Sequence, residues 1–513
     1  MRINNSMKNI YTSILAQIIV IFLGFISRKV FLDSLGTEYL GINGLLTNIL
    51  SMLSLVEGGI GVSITYNLYK PLSEKNEEKI IALIQLYKKL YGILAIFIFL
   101  LSLTLYPFLG IIIKDTQEVP FVGLIYFIFV IKNMISYLNA HKWALINADQ
   151  KGYVLVKYDL LFNIINTIAK IIILLITKNY ILYLLIEAGI FVIQNLWNGR
   201  IVNKRYSYIK TRKRYFVEKD VKENLITNVK ALFLHNIGTY CVFGTDNLLI
   251  SAFISVKMVG LYSNYTMIIG QLASLLKPMI EGIGASVGHL VATESKEKNY
   301  EVFKVVRLVN FWVYSFCGIF LFNLIEPFIN WWLGDGLLLD RLTLIVILIN
   351  FYITGMRSSI NIFKSKAGIF SEDKYVPLIE AAINLGASLI LVKYFGLAGI
   401  FMGTTISTIT IPLWTQSKLV YNKVFNKSVT EYFKVYIFYI VLTIFTGILT
   451  AFTCNNLILW TSFSALVAKG VICIIIPNFI YFMVFFKTNE FIYLFNIFKP
   501  MVDKLLVNLK LNI

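Results

Sequence analysis

Cysteine and histidine are scarce in this chain, which has four cysteines and three histidines among 513 residues. None of them has the spacing of a zinc site, and the cysteines do not suggest a disulfide framework. The sequence also contains no Walker A motif and no Ser-His-Asp arrangement. These absences exclude an ATP-driven exporter and argue against an enzyme. We interpret the cysteines as small apolar packing residues: Cys241, Cys317, Cys454 and Cys473.

Charged residues are few, at 15% of the chain, where soluble proteins average about 25%. Hydrophobic residues make up 58%, and apolar runs of the roughly 20 residues that cross a bilayer recur throughout. No hydrophilic stretch is long enough for a separate soluble domain. The first apolar run follows Arg2 and Lys8 and lacks a small-residue cleavage site, so we expect a retained helix rather than a signal peptide. The composition therefore predicts an all-α polytopic membrane protein.

We predict fourteen transmembrane helices, arranged as two six-helix lobes and two additional C-terminal helices. The predicted spans are 9–32, 40–69, 90–113, 120–141, 154–176, 180–199, 226–252, 258–290, 305–325, 341–363, 375–392, 396–417, 432–453 and 459–486. The corresponding domains are an N-terminal lobe (1–199), a basic cytoplasmic linker (200–225), a C-terminal lobe (226–420), the two added helices (421–486) and a cytoplasmic amphipathic tail (487–513).

Acidic residues are outnumbered, with 28 against 47 basic residues and a net charge of +19. Nucleic-acid binding is one interpretation of such an excess, but the basic residues lie in short loops between apolar spans. If the N-terminus is cytoplasmic, 35 of the 47 fall on the inner side, five on the outer side and seven within spans. Cytoplasmic loops of membrane proteins carry this excess of Lys and Arg. The distribution predicts that both termini lie in the cytoplasm, with no role in nucleic-acid binding.

Short segments recur across the basic linker in the same order and at nearly constant offsets of 224, 219 and 217 residues. They predict two lobes related by an axis along the membrane normal, an arrangement that is typical of transporters. Chance similarity among apolar, glycine-rich helices is the alternative. The paired segments are Val56–Ser63 with Ile280–Val287, Tyr39–Ile42 with Met258–Leu261, and Lys157-Tyr158 with Lys374-Tyr375.

Ionisable residues within the predicted spans are the candidate site. Each charge at mid-membrane costs about 2.5–3.5 kcal/mol unless it is paired or hydrated. Unpaired cations facing a hydrated lumen would attract an anion, and arginine suits phosphate because its fork makes two hydrogen bonds. Pairing of each cation with a nearby acid is the structural alternative, which includes a Lys277–Glu281 pair. The candidate substrate-binding cations are Arg28, Lys132, Lys170, Lys277, Arg357 and Lys469, and the candidates for H⁺ or Na⁺ coupling are Glu57, Asp246 and Glu281.

Several local motifs resemble those of the MOP exporter superfamily, and in particular its polysaccharide transporter family, the Wzx-type flippases of O-antigen and capsule repeat units. The resemblance covers about residues 5–490. The motifs that carry it are Gly36-Thr37-Glu38-Tyr39-Leu40-Gly41 leading to Leu55–Gly61, Asn147-Ala148-Asp149-Gln150-Lys151-Gly152-Tyr153, and Thr245-Asp246-Asn247 leading to Val259–Ser263.

The resemblance implies a flippase of the bacterial cytoplasmic membrane that moves undecaprenyl-pyrophosphate-linked oligosaccharide to the outer leaflet. Alternating access through a cationic lumen would carry the substrate, and basic residues in the first helix of related flippases draw attention to Arg28. The implied partners are the lipid-linked oligosaccharide, membrane lipids and the polysaccharide polymerase machinery, with no cofactor beyond a coupling ion. The alternatives are a MATE-like multidrug or cation antiporter and a membrane enzyme or scaffold for envelope polymers.

Overall fold

A computed structural model of the chain describes residues 2–57, 60–113, 119–149, 151–219, 222–223, 244–369, 372–458, 460 and 462–496; within these, only the backbone is described for 2–16, 55–56, 62–63, 277–286, 288–289 and 292–293. The described residues are helical and include no β-strand, so the all-α prediction is confirmed. The helices are α1 Arg2–Leu35, α2 Thr37–Leu53, α3 Ile60–Ser73, α4 Glu77–Leu105, α5 Leu109–Ile112, α6 Val122–Tyr137, α7 Ala140–Ala148, α8 Tyr153–Thr177, α9 Tyr180–Arg205, α10 Asp246–Phe253, α11 Val256–Thr293, α12 Lys296–Leu333, α13 Arg341–Lys366, α14 Val376–Thr410, α15 Pro412–Val420, α16 Thr430–Leu457 and α17 Phe463–Phe485.

The outer faces of the helices are apolar, as α16 illustrates. Its buried stripe is made of tyrosines and threonines, including Tyr436, Tyr439 and Thr446, whereas Val441 and Ile448 on the opposite face are 60% and 66% exposed. A helix in water would present the reverse pattern, so the exposed face of α16 is suited to lipid. By length and hydropathy, eight of the described helices can cross a membrane, or nine if the bent pair α6–α7 forms one span. The count of fourteen spans stays a prediction.

The chain divides into two compact units, which we call unit 1 (Met1–Ser263) and unit 2 (Asn264–Ile513). In unit 1, α1 packs along α8, and α9 packs against α6 and α8. In unit 2, α12 packs against α13, α16 and α17. The short helix α10 belongs to unit 1, where it contacts α2 and α5. The division into lobes at 200–225 stays a prediction, and most of the predicted span 226–252 lies outside the described residues, as does the tail from residue 497 onward.

The predicted single span 40–69 is wrong in detail. α2 ends at Leu53, a 3₁₀ turn covers Ser54–Glu57, and a separate helix begins at Ile60. The Ser54 hydroxyl donates to the carbonyl of Leu50 at 2.8 Å, a local hydrogen bond that competes with helix continuation. The two glycines that follow Glu57 in the sequence each lower helix propensity by about 1 kcal/mol relative to alanine.

The predicted spans 375–392 and 396–417 form the two arms of a helical hairpin. Gly396 breaks the helical backbone of α14 with φ 54° and ψ −131°, a left-handed region that glycine enters without steric cost. The arms pack closely, since a Cβ on Gly403 would lie 2.1 Å from the Ser388 hydroxyl. Three hydrogen bonds join them at matching four-residue steps: Thr408 to Glu380, Asn384 to Thr404, and Ser388 to the carbonyl of Ile400.

Within unit 1, one of the repeated sequence pairs packs against itself. A Cβ on Gly41 would lie 1.9 Å from the carbonyl oxygen of Val256, and a Cβ on Gly260 would lie 2.1 Å from that of Thr37. Both pairs of equivalent positions are related by the 219-residue offset, so the contact is reciprocal, as in a twofold-symmetric interface. Glu38 and Lys257, which are also 219 residues apart, form an ion pair at 3.7 Å. This reciprocity supports the predicted repeat at these positions.

Substitution of Gly41 by alanine is expected to destabilise the protein, because the added methyl group meets backbone rather than a movable side chain. Such overpacking typically costs about 1–3 kcal/mol, whereas alanine otherwise stabilises a helix relative to glycine by about 1 kcal/mol. The control is Gly44→Ala one turn away, where the nearest atoms are 3.7 Å distant. Melting temperatures of the two purified variants should move in opposite directions or, at the least, fall only for Gly41→Ala; equal values would contradict the contact.

Candidate functional site

Two predicted cations, Lys132 and Lys170, share one carboxylate in unit 1. Lys170 on α8 contacts Glu187 on α9 at 2.9 Å, and Lys132 on α6 forms an ion pair with the other oxygen of the same carboxylate. The Glu187 and Lys170 side chains are 17% and 15% exposed, and that of Lys132 is 32% exposed. Pairing removes much of the cost of placing these charges in the bundle, yet two ammonium groups face a single carboxylate.

Arg28 is the third cation of this region. Its guanidinium is partly buried and donates to the Ser263 hydroxyl at 2.9 Å, and Ser263 in turn donates to the carbonyl of Gly260. In the described part of the chain, Arg28 forms no ion pair with a carboxylate. Tyr183 interacts electrostatically with both Arg28 and Lys170, and the Lys170 ammonium lies 4.7 Å from its ring centre. Packing of α1 along α8 thus brings Arg28 to the same tyrosine as Lys170.

We call Arg28, Lys132, Lys170 and Glu187 the cation cluster. Three cations and one carboxylate leave a formal charge of +2 within the described residues. Neighbouring Lys29 differs from Arg28, because it is exposed and pairs with Asp33 at 3.8 Å. An excess of two positive charges inside an apolar bundle favours a dianion, since Coulomb attraction strengthens where water is displaced.

Arg357, in unit 2, has the paired arrangement that the sequence left as the structural alternative. Its guanidinium lies 3.5 Å from Glu380 and donates to Gln416 at 3.1 Å. Arg357 is 9% exposed and Glu380 is 7% exposed. The pair links α13 to both arms of the α14 hairpin, because Thr408 also donates to Glu380. Its direct neutralisation makes Arg357 a weaker candidate for an anion than Arg28.

Replacing Arg357 alone with methionine is expected to destabilise unit 2 by about 3–5 kcal/mol, because a buried carboxylate loses its partner. The double variant Arg357→Met, Glu380→Gln should recover most of that loss and keep transport activity. Thermal unfolding of both purified variants, together with a transport assay, tests this expectation. A stable double variant that no longer transports would instead give Arg357 a role in binding.

The remaining predicted cations differ in what surrounds them. Lys469 on α17 is partly buried and has no carboxylate partner in the ranges that the structure describes. Lys277 and Glu281 are in α11, but their side chains lie outside the described residues. Their predicted pairing and the proposed role of Glu281 in coupling therefore stay predictions.

The other two acids chosen as coupling candidates lie in unit 1 at separate places. Glu57 accepts a hydrogen bond from Tyr91 at 2.8 Å. Asp246 begins α10, is 8% exposed, and its Oδ1 accepts no hydrogen bond from the described residues. Neither carboxylate forms an ion pair with a cation in that part of the chain. Both are sufficiently free of counter-charges to bind H⁺ or Na⁺.

Sequence reasoning missed Arg307, which we had assigned to a cytoplasmic segment. It is 5% exposed in α12, donates to the Tyr421 hydroxyl at 3.3 Å and lies 5.6 Å from the Phe303 ring. The apolar run from Phe303 to Val306 is the signal that it lies within a buried helix. The ion pair between Lys364 and Asp373, also in unit 2, was missed as well. The thiols of Cys454 and Cys473 lie 3.9 Å apart, a proximity that their sequence spacing did not suggest.

No family model and no curated protein matches the sequence. Comparison of structures does find similar proteins. The chain is similar to the lipid II flippase MurJ in an inward closed conformation, with a TM-score of 0.65 and 14% identity over 93% of this chain and 99% of that chain. It is also similar to a mutant form of the Vibrio cholerae MATE transporter VcmN, with a TM-score of 0.56 and 12% identity over 83% and 99% of the two chains.

A MOP superfamily transporter from Pyrococcus furiosus is a further structural neighbour, with a TM-score of 0.53 and 12% identity over 80% of this chain and 94% of that chain. Identities this low carry information about the fold alone. The neighbours are transporters and flippases rather than enzymes. The chain is therefore a multi-pass membrane protein with the fold of the MOP superfamily transporters.

Proposed function

We propose that this protein is a Wzx-type flippase of the polysaccharide transporter family. It would move undecaprenyl-pyrophosphate-linked oligosaccharide repeat units of an O-antigen or capsule from the cytoplasmic to the outer leaflet. The observation that carries the proposal is the cation cluster, whose formal charge of +2 is suited to a pyrophosphate. The fold adds support, since its neighbour MurJ is described as a flippase of lipid II.

In the proposed mechanism, the cation cluster holds the pyrophosphate while the prenyl chain stays in lipid. Arg28 would contribute two parallel hydrogen bonds to phosphate oxygens, and Lys132 and Lys170 would act as point charges. Glu187 lowers the excess charge, which keeps binding weak enough for release on the other side. Alternation between inward-open and outward-open states would complete the cycle, with Glu57 or Asp246 binding the H⁺ or Na⁺ that drives it.

The remaining parts of the proposal follow from the sequence. They are fourteen spans in the bacterial cytoplasmic membrane, both termini in the cytoplasm, and cooperation with the polysaccharide polymerase machinery. The inner-side excess of Lys and Arg supports this orientation.

The test is translocation by purified protein. Proteoliposomes would be loaded with lipid-linked oligosaccharide isolated from cells that lack the transporter, and the fraction accessible to an added glycosidase would be followed over time. We expect the protein to raise the accessible fraction much faster than protein-free liposomes do. A rate equal to that of the protein-free control, with folded and correctly inserted protein, would refute the flippase function.

A second candidate is a MATE-like antiporter, which is favoured by two observations: the similarity to VcmN, and the presence of Glu57 and Asp246 without cation partners among the described residues. Drug susceptibility separates the two. A deletion strain that becomes sensitive to cationic drugs while making normal surface polysaccharide would support the antiporter.

A further inference from the structure

Unit 1 encloses a cavity of 700 Å³ beside the turn that joins α7 to α8. This volume falls within the range of small-molecule sites. Aromatic side chains from three helices form part of its wall: Tyr137 on α6, Trp143 on α7 and Phe191 on α9. Carboxylate and amide groups make up much of the rest, including Glu57, Asn147, Asp159, Gln194, Asn195 and Asn198.

The polar groups of this cavity are arranged around Asp159. Its Oδ1 accepts hydrogen bonds from Gln194 at 2.8 Å and from Asn198 at 2.7 Å. The other side of the Asn198 amide is unused: Asn198 is 5% exposed, and its Oδ1 accepts no hydrogen bond from any described residue. An unfilled buried acceptor costs about 1–3 kcal/mol. The cavity therefore offers a ligand both an acceptor without a donor and a carboxylate held in place by two amides.

The cavity and the cation cluster lie along the same pair of helices. On α9, Glu187, Phe191, Gln194 and Asn198 follow one another at spacings of four, three and four residues, which places them on one face. On α8, Asp159 is eleven residues before Lys170. Lys170 pairs with Glu187 at one end and Asp159 accepts from Asn198 at the other. Eleven residues of helix correspond to about 16 Å.

Phe191 connects the two sites. Its ring lines the cavity and lies 5.9 Å from the Lys132 ammonium of the cation cluster. A Ser136 side chain one turn along α6 from Lys132 also lines the cavity. A ligand with an anionic end at the cation cluster would thus extend a neutral, hydroxyl-rich portion toward Asp159.

We propose that this cavity is a carbohydrate subsite that binds sugar residues of the lipid-linked substrate while the cation cluster holds its pyrophosphate. The inference rests on the proposed flippase function and identifies where the substrate's sugars bind. Sugar hydroxyls both donate and accept hydrogen bonds, which matches fixed carboxylate and amide groups, and the apolar faces of sugar rings pack on aromatic side chains. A cation would be satisfied by carboxylates alone and would leave the Asn198 oxygen and the amide donors of this wall without purpose.

The test compares two lipids on the full-length protein in nanodiscs. One is undecaprenyl pyrophosphate, and the other is the same lipid bearing the repeat-unit oligosaccharide, isolated from cells that lack the transporter. Wild-type protein should bind the sugar-bearing lipid at least tenfold more tightly than the bare lipid, because two or more additional hydrogen bonds form. Tetraphenylphosphonium serves as the cation probe for the alternative occupant.

The variant Asp159→Asn removes the central acceptor charge, and Trp143→Leu removes an aromatic wall without changing the hydrogen bonds around Asp159. Each should reduce the affinity for the sugar-bearing lipid to that for the bare lipid and leave the bare-lipid affinity unchanged. Lys170→Met should weaken both lipids by the same factor. If Asp159→Asn lowers the melting temperature, Trp143→Leu alone decides the question.

Three outcomes overturn the inference: equal affinity of wild-type protein for both lipids, full retention of the sugar-dependent gain in the deciding variant, or tight tetraphenylphosphonium binding that Asp159→Asn abolishes. Equal, measurable binding of both lipids leaves the flippase function intact. Failure of wild-type protein to bind either lipid would refute the proposed function itself.

Discussion

Replacing Arg28 with glutamine is expected to lower the translocation rate ten- to a hundredfold. Arg28 is the cation of the cluster that has no carboxylate partner in the described residues, so its guanidinium is the group most available to a phosphate. A hydrogen bond to a charged group contributes about 1.5–3 kcal/mol, which corresponds to this range of rates. Arg28→Lys should fall between wild type and Arg28→Gln, since lysine keeps the charge but loses the fork. The glycosidase-accessibility assay measures all three rates.

The matched control is Lys29→Gln, which removes the same charge at the next position in the chain. Lys29 is exposed and pairs with Asp33, and it shares the outer face of α1 with Phe22 and Ile26, which are 66% and 55% exposed. We expect Lys29→Gln to translocate at nearly the wild-type rate. If both variants lose activity equally, the effect reflects net charge rather than a site at Arg28, and the role proposed for Arg28 is wrong.

The membrane fold was predictable from sequence because lipid imposes a simple rule on the outside of each helix. Runs of apolar residues identified α8, α9, α13 and α16 to within a few residues. The break between α2 and α3 was not predicted, because the hydropathy of 40–69 does not change there. Local geometry decides it instead, through the Ser54 hydrogen bond and the low helix propensity of the glycines.

The site was predictable in kind but not in its pairings. The spacing of Asp159, Asn163, Asn166 and Lys170 indicated a polar face on α8, and that face does contact polar groups of α9. Which cation meets which acid depends on how each helix is rotated against its neighbours. Lys132 and Glu187 are 55 residues apart, and Arg357 and Glu380 are 23 apart. Nothing in the spacing distinguishes the doubly shared Glu187 from the singly paired Glu380.

Removal of the Glu187 charge is expected to have the largest effect on stability in unit 1. Glu187→Gln leaves two neighbouring ammonium groups without a counter-charge, and breaking buried pairs of this kind costs about 3–5 kcal/mol. A second substitution should restore stability to different extents. Lys170→Met with Glu187→Gln should recover most of it, because the remaining Lys132 is about one-third exposed and partly hydrated. Lys132→Met with Glu187→Gln should recover less, because the more deeply buried Lys170 remains. Thermal unfolding of the four purified proteins gives the order.

The same variant separates a structural role of Glu187 from a role in transport. Without its carboxylate, the cation cluster changes from a formal charge of +2 to +3. A dianion should then bind about tenfold more tightly or more, because each close charge pair contributes on the order of 1–4 kcal/mol in a partly buried site. Tighter binding slows release, so Glu187→Gln should show a lower dissociation constant for undecaprenyl pyrophosphate together with slower translocation. Weaker binding by a variant that remains folded would mean that the pyrophosphate does not occupy the cation cluster.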